Sequence, residues 1–292
     1  MNKIAAEILA GIIPNKTEKN RWRGILRYGL RRAIKLKKHL KRNKSVPPNY
    51  FFAVCAIVKN EADYFKEWLD WHISQGVEKF YIYDNESTDN TKEILEPYIK
   101  SGLVEYTFWA GRKQQLPVYD DCLDKRRLEA NWIAFIDLDE FIVPMEDKTI
   151  TEFLERFENF AAIEINWLCY GSGGAKKKET GDVMERFKHH AAWNHIKNRV
   201  VKSIVNPRKV FSFIRCHDAA QRYGHTIADS RGNSIKKHFR KREPQHDVIR
   251  INHYAVKSYE EFLIKKTRGS TNTLNRIDQG YFERFDLNDI KN

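Results

Sequence analysis

The segment Phe135-Ile136-Asp137-Leu138-Asp139-Glu140-Phe141 places three carboxylates at the end of the apolar run 132–136, which we predict to be a buried strand. Ligands of open α/β sheets bind outside the carboxyl ends of the strands. Carboxylates there are costly unless positive charge lies among them, and a divalent cation such as Mg or Mn, bridging to phosphate oxygens, would supply it. Alternation along an extended Asp-x-Asp segment also predicts that Asp137 and Asp139 point to the same side. The alternative is an ordinary acidic turn, because Asp-x-Asp alone is a common pattern.

Strands and helices alternate on both sides of this segment. We predict strands over 51–58, 79–83, 103–109, 132–136, 161–167 and 248–254, and helices over 61–74, 118–130, 150–157 and 258–266. A further helix is capped by Thr88-Asp89-Asn90 and runs to about Tyr98. This alternation predicts an α/β fold with a mostly parallel sheet that helices cover on both faces.

Two further polar turns follow predicted strands. Asp84 ends the strand 79–83, and Ser87-Thr88-Asp89 after it opens a helix. Val58-Lys59-Asn60-Glu61 ends the first predicted strand. Asp84 could accept a hydrogen bond from the edge of a nucleotide base. The alternative is that these residues only cap a helix and form a turn.

The positive charge is concentrated at the N-terminus. Residues 1–45 contribute +12 of the formal net charge of +13, through fourteen Lys and Arg against two Glu. Their apolar residues recur at roughly helical spacing, at Trp22, Ile25, Leu26, Leu30, Ile34 and Leu40. We therefore predict a basic amphipathic helical arm over 1–48, ending at the breaker Ser45-Val46-Pro47-Pro48-Asn49, and one domain over 49–292. The arm either lies on an anionic membrane surface or packs on its own domain.

Composition excludes several classes of protein. The domain behind the arm is nearly neutral, which argues against a nucleic-acid partner. The four cysteines form no Cys-x-x-Cys pair, so we expect reduced thiols and neither a disulfide framework nor a zinc site. No apolar run is long enough for a transmembrane helix, and the apolar stretch 4–14 lacks the features of a cleaved signal peptide. We expect a cytoplasmic protein, with a peripheral position on the inner face of the membrane as a further possibility.

In this order along the chain, the three polar turns resemble those of the GT-A nucleotide-sugar transferases. The closer resemblance is to glycosyltransferase family 92, which is related to family 2. The matching pieces extend over about residues 51–269, and the basic arm lies outside them. They are Val58-Lys59-Asn60-Glu61, Tyr83-Asp84-Asn85 with Ser87 and Asp89, Gln115 with Tyr119 and Cys122, Asp137-Leu138-Asp139-Glu140-Phe141, Asn166-Trp167 with Gly171-Ser172-Gly173, Lys202-Ser203-Ile204 with Pro207, Ile251-Asn252-His253-Tyr254, Lys257-Ser258, Glu260-Glu261-Phe262, Lys265 and Arg268-Gly269.

The resemblance implies a GT-A fold, a nucleoside-diphosphate-sugar donor, most simply a UDP-sugar, and a role for each matching residue. Asp84 would read the base beside Asn60, Asp137 would contact the ribose or a metal-bound water, and Asp139 and His253 would ligate Mn or Mg. Lys257, Lys265 and Arg268 would offset the diphosphate charge, unless they form a solvated cationic face. The donor-binding residues implied in this way are Val58, Asn60, Glu61, Asp84, Gln115, Asp137, Leu138, Lys257, Lys265 and Arg268.

A catalytic base is predicted from position alone. An inverting transferase needs a carboxylate that deprotonates the acceptor hydroxyl. Glu185, with Asp182 beside it, follows the glycine-rich stretch 171–174, where GT-A enzymes often place this acid. Glu179 and Asp218 are the alternatives.

Together these features predict a metal-dependent glycosyltransferase that acts on a glycan or lipid-linked acceptor in cell-surface polysaccharide or lipopolysaccharide synthesis. Two alternatives remain open. A nucleotidyltransferase on a GT-A-like sheet would also use an acidic site, and a basic nucleic-acid-binding protein would use the arm. As binding partners we expect the sugar donor, the acceptor and a possible membrane surface. We expect no nucleic-acid partner.

Overall fold

A computed structural model describes residues 16–236, 238–269 and 278–291, so the apolar stretch 4–14 lies outside the described residues. The helices are α1 Lys16–Tyr28, α2 Leu30–Arg42, α3 Ala62–Ser74, α4 Thr91–Lys100, α5 Gln115–Arg126, α6 Ile150–Glu155, α7 Val183–Arg186, α8 Tyr259–Arg268 and α9 Gln279–Phe285. The strands are β1 Tyr50–Val58, β2 Lys79–Asp84, β3 Val104–Phe108, β4 Ala130–Phe135, β5 Glu140–Pro144, β6 Ala162–Cys169, β7 His189–His190, β8 Val201–Val205, β9 Val210–Arg215, β10 Asp218–Gln221, β11 Ile227–Asp229, β12 Ile249–His253 and β13 Ile290–Lys291.

One large sheet organises the molecule. Its order is β3-β2-β1-β4-β8-β6-β12-β5, with β11 paired to β6. Strands β3, β2, β1 and β4 are parallel, and β12 is parallel to β6, whereas β8 runs antiparallel to β4 and β6 and β5 runs antiparallel to β12. The predicted α/β fold with a mostly parallel sheet and a GT-A layout is confirmed.

Helices cover the sheet because its strands carry apolar side chains on both faces. In β1 every residue from Phe52 to Val58 is buried, and its side chains divide between two separate core clusters. This is the pattern of a strand inside a parallel sheet with both faces covered. Among the described residues, no helix is long and apolar enough to cross a membrane.

The segment after β4 differs from the extended conformation that we predict. The Glu140 amide donates to the Asp137 carbonyl oxygen at 3.1 Å, which closes a turn. The chain then reverses into β5, which pairs with β12. Because the segment turns, Asp137 and Asp139 contact different sets of partners, and the expectation that their side chains point to one side stays a prediction.

Helix α1 packs on the β9–β10 hairpin, and α2 adds residues to the same hydrophobic cluster. The buried residues of this cluster are Tyr28, Ala33, Leu36, Leu40, Phe211 and Ala220. Gly29, with a φ of 94°, separates the two helices and shifts their helical phase. The apolar residues therefore do not share one face: Ile25 and Leu40 pack inward, whereas Leu30 and Ile34 are 63% and 50% exposed.

Candidate active site

Three potential metal ligands meet where β5 and β12 pair. The register places His253, at the end of β12, opposite Glu140, at the start of β5, and Asp139 directly precedes Glu140. The Tyr254 amide donates to the Asp139 carbonyl oxygen at 2.8 Å, which fixes the turn against β12. One ligand atom from each of Asp139, Glu140 and His253 lies within 4.8 Å of the others.

This donor set suits a divalent cation. Glu140 Oε1 and His253 Nδ1 are buried atoms without a hydrogen-bond partner, and an ion would satisfy such atoms. Burial lowers the pKa of His253 to about 3, which keeps the imidazole neutral and able to ligate. Burial alone would raise the pKa of Asp139, but the nearby cations, Lys265 above all, hold it well below its usual range. Two oxygen ligands and one neutral imidazole are compatible with Mn or Mg.

Asp137 lies beside this group and has its own partners. Its Oδ2 accepts from Lys202 Nζ at 2.8 Å, and its Oδ1 accepts from Gln115 Nε2 at 2.9 Å. Lys202, which is fully buried on β8, also lies 3.5 Å from Glu140 Oε2. Burial would lower the pKa of Lys202, but Asp137 and Glu140 raise it well above the ordinary value. This lysine therefore neutralises part of the acidic turn from inside the sheet.

Cationic side chains from the last part of the chain face the same turn. Lys265 Nζ on α8 donates to Asp139 Oδ2 at 2.6 Å and to the Ala255 carbonyl oxygen at 2.8 Å. Lys257, at a φ of 56°, is buried with its Nζ 4.1 Å from the centre of the Tyr64 ring, and burial lowers its pKa. These lysines are enclosed, so the alternative of a solvated cationic face does not describe them.

Arg268 connects α8 to the turn after β1. Its Nη1 donates to the carbonyl oxygens of Lys59 and Asn60, both at 2.9 Å, and its Nη2 pairs with Glu61. Arg268 therefore lies at the turn after β1, together with Val58, Asn60 and Glu61. The side chain of Leu138 is buried in the hydrophobic core and anchors the turn there.

The polar turns after β1 and β2 are tied together. The Asn60 amide donates to Ser87 Oγ at 2.9 Å, and Asn60 Oδ1 accepts from the Thr88 amide at 2.7 Å. Asp84 is buried, and its two carboxylate oxygens accept from the Ser87 amide at 2.8 Å and from the Tyr106 hydroxyl at 2.6 Å. Asp84 therefore orders this turn, whatever it contacts in a ligand.

The predicted base and its neighbour line a cavity that the candidate metal ligands do not line. Glu185 is 77% exposed and pairs with Lys188 at 3.2 Å, and Asp182 is also exposed. Both line a cavity of about 1000 Å³ between α3 and residues 178–186, and none of Asp137, Asp139 and His253 lines it. The alternative Glu179 lines the same cavity, whereas Asp218 is buried in β10 beside Arg215.

Lys202, Glu140 and Tyr106 contact residues of the candidate site, but sequence patterns alone predict no individual role for them. Lys202 interrupts an apolar strand, and a charge at such a position is the signal that could have identified it. Glu140 directly follows the Asp-x-Asp segment in the sequence. Only the pairing of β5 with β12, however, places it beside His253. Tyr106 supports Asp84 from β3, and strand propensity alone explains its presence in the sequence.

Comparisons with known proteins agree with this geometry. Residues 50–285 match the model of glycosyltransferase family 92. A family 92 protein of Oryza sativa subsp. japonica is 30% identical over 122 residues, which are 41% of this chain and 21% of that protein. The beta-1,4-galactosyltransferase galt-1 of Caenorhabditis elegans is 26% identical over 217 residues, 70% of this chain and 47% of its own.

Likeness to solved structures is weaker. A crystal structure of S. aureus TarS has a TM-score of 0.36 at 17% identity, covering 54% of this chain and 47% of that one. The matches also span less than half the length of both curated relatives. The family model, in contrast, covers most of the chain and includes each of the polar turns. The chain therefore belongs to glycosyltransferase family 92.

Proposed function

We propose that this enzyme transfers a sugar from a UDP-sugar, bound together with Mn or Mg, to a hydroxyl of a glycan or lipid-linked acceptor in cell-surface polysaccharide or lipopolysaccharide synthesis. The observation that carries the proposal is the group of Asp139, Glu140 and His253, enclosed by lysines at the carboxyl end of the sheet. The name of the nematode relative makes UDP-galactose the first donor to test.

Each part of the site has a task in this proposal. A bound divalent cation would neutralise the donor diphosphate and stabilise its departure. Asp139 and His253 would hold that cation, and Glu140 is a third candidate ligand. Lys257, Lys265 and Arg268 would add positive charge where the diphosphate leaves. Asp137, held by Lys202 and Gln115, is preorganised to accept a hydrogen bond from the ribose or from a water.

The nucleotide base would lie between the turns after β1 and β2. Asp84 and Asn60 border this place, and their hydrogen bonds to residues 87 and 88 keep both turns in position. For the base that deprotonates the acceptor we propose Glu185 or Asp182. Both are exposed and therefore accessible to an acceptor hydroxyl.

Product analysis tests the proposal against nucleotidyl transfer. The full chain is incubated with Mn, a panel of nucleotide sugars that includes UDP-galactose, and glycan acceptors. We expect free UDP to accumulate together with a glycosylated product. A parallel reaction contains a nucleoside triphosphate and a sugar phosphate in place of the nucleotide sugar, and release of pyrophosphate in it would identify a nucleotidyltransferase instead.

We also propose that the N-terminal helices bring the enzyme to an anionic membrane surface. The support is the combination of exposed Leu30, Ile34 and Trp22 with the excess of Lys and Arg in residues 1–45. Such a position suits a lipid-linked acceptor.

A further inference from the structure

We propose that Lys265 is a placeholder cation: its ammonium group holds Asp139 while the donor is absent and makes metal binding conditional on the diphosphate. The inference rests on the proposed function, because it describes how that site is loaded. Loss of a simple structural ion pair would leave the affinity for Mn unchanged or lower it. Loss of a placeholder cation should instead raise the affinity for Mn.

Lys265 is held in place by two hydrogen bonds. Its ammonium donates to Asp139 Oδ2 at 2.6 Å and to the Ala255 carbonyl oxygen at 2.8 Å, and it lies 5.5 Å from the centre of the Tyr281 ring. Helix α8, which carries it, begins with a capping box between Ser258 and Glu261. The helix start is therefore fixed, and the lysine reaches Asp139 from a defined position.

Other ligand atoms of the group are available to an ion. Glu140 Oε1 and His253 Nδ1 have no hydrogen-bond partner, and Asp139 Oδ1 lies 3.7 Å from His253 Nε2. A divalent ion could use these atoms, but it would share Asp139 with the ammonium. Two cations on one buried carboxylate repel each other strongly because the surroundings screen them little. Metal binding without a donor is therefore opposed by Lys265.

The diphosphate of the donor removes this opposition. Its oxygens carry negative charge that both a metal ion and an ammonium group can share. Lys265 can then turn from Asp139 towards the diphosphate, and the metal gains the carboxylate. Because coupling between two ligands is reciprocal, metal would strengthen nucleotide binding by the same factor. The enzyme would thus avoid loading a metal that has no donor to activate.

The test measures Mn binding without and with UDP, by electron paramagnetic resonance of free Mn and by calorimetry, on the full chain. In Lys265→Met the competing charge is gone, so we expect Mn alone to bind about tenfold more tightly or better. UDP should bind less tightly, and the factor by which UDP strengthens Mn binding should fall. Mn alone should also raise the melting temperature of Lys265→Met more than that of the parent.

Two variants serve as controls. Lys266→Met removes a neighbouring lysine that has no ion pair among the described residues, and it should leave Mn binding unchanged. Lys265→Gln, which keeps a donor for Asp139 and Ala255, carries the same expectation as Lys265→Met if the latter does not fold. Unchanged or weaker binding of Mn alone by the folded variant would overturn the inference. A parent chain that binds neither Mn nor UDP would instead refute the proposed function.

Discussion

At the residue scale, Asp84 combines a structural and a proposed binding role. Its oxygens already accept from the Ser87 amide and the Tyr106 hydroxyl, so they retain further lone pairs for a base edge. We expect Asp84→Ala to weaken UDP binding by about 1–3 kcal/mol, the usual loss for a buried polar contact. Calorimetric titration with UDP in the presence of Mn measures this.

Tyr106→Phe is the matched control for Asp84. It removes only the hydroxyl partner and leaves the carboxylate in place, so it should change UDP binding much less than Asp84→Ala does. Equal losses in both variants would mean that the turn, and not a contact to the base, accounts for the effect.

The proposed catalytic base is also tested by single substitutions. If Glu185 or Asp182 accepts the acceptor proton, the corresponding amide variant should lose roughly 10²–10⁴-fold in kcat while its UDP affinity stays unchanged. Initial rates of transfer for Glu185→Gln and Asp182→Asn decide between them. Two variants with parental kcat would place the base elsewhere in the chain.

Part of the candidate site is predicted from the sequence. The resemblance to family 92 predicts Asp139 and His253 as ligands of one metal ion, and the structure places their side chains 3.7 Å apart. Lys202 and Glu140 were not assigned, because their roles depend on β8 and β5 lying next to β4 and β12. Such cross-strand neighbours cannot be read from local sequence, since antiparallel insertion into a parallel sheet leaves no short-range signal.

At the scale of elements, α2 has two faces with different expected roles. Leu36 is buried in the hydrophobic cluster that includes Tyr28 and Phe211, whereas Leu30 and Ile34 are exposed among lysines and arginines. We expect the double change Leu30→Glu with Ile34→Glu to abolish binding to anionic vesicles without lowering stability. Each cation near such a surface contributes about 1 kcal/mol, so the parent should sediment with vesicles at low salt and be released as salt rises.

Leu36→Ala is the comparison for that experiment. It should destabilise the fold by about 2–5 kcal/mol, because it leaves a cavity on the inner face, yet vesicle binding by the folded fraction should persist. A parent chain that stays in the supernatant at low salt would contradict the membrane proposal and leave α2 with its structural contact alone.

Most elements agree with prediction to within a few residues, because strand and helix periods are strong along 51–136. The helix that Thr88-Asp89-Asn90 is predicted to cap begins at Thr91, directly after Asn90. Asp89 accepts from both the Ala62 and the Thr91 amide, which ties this helix start to the turn after β1. The prediction of a single apolar face along the arm is wrong, because the positive φ of Gly29 interrupts the helix and shifts the phase of the residues that follow. One backbone angle therefore overrides the periodicity of the arm.

At the scale of the whole molecule, the net charge of +13 does not describe the catalytic centre. The arm carries most of it, and the site itself alternates carboxylates with buried lysines. This balance fits a small, highly charged ligand set of diphosphate and divalent cation better than a long polyanion. The division into an arm over 1–48 and a domain over 49–292 stays a prediction.

The central claim is that Asp139 binds the donor through a divalent cation. Calorimetric titration with UDP, once in the presence of Mn and once in the presence of EDTA, tests this claim most directly. The parent should bind UDP at least about tenfold more tightly with Mn, and folded Asp139→Asn should bind it with no dependence on Mn. Asp70→Asn, which changes an exposed carboxylate paired with Lys66, should behave like the parent. Equal UDP affinity of the parent in Mn and in EDTA, or an unchanged Mn dependence in Asp139→Asn, would contradict the account.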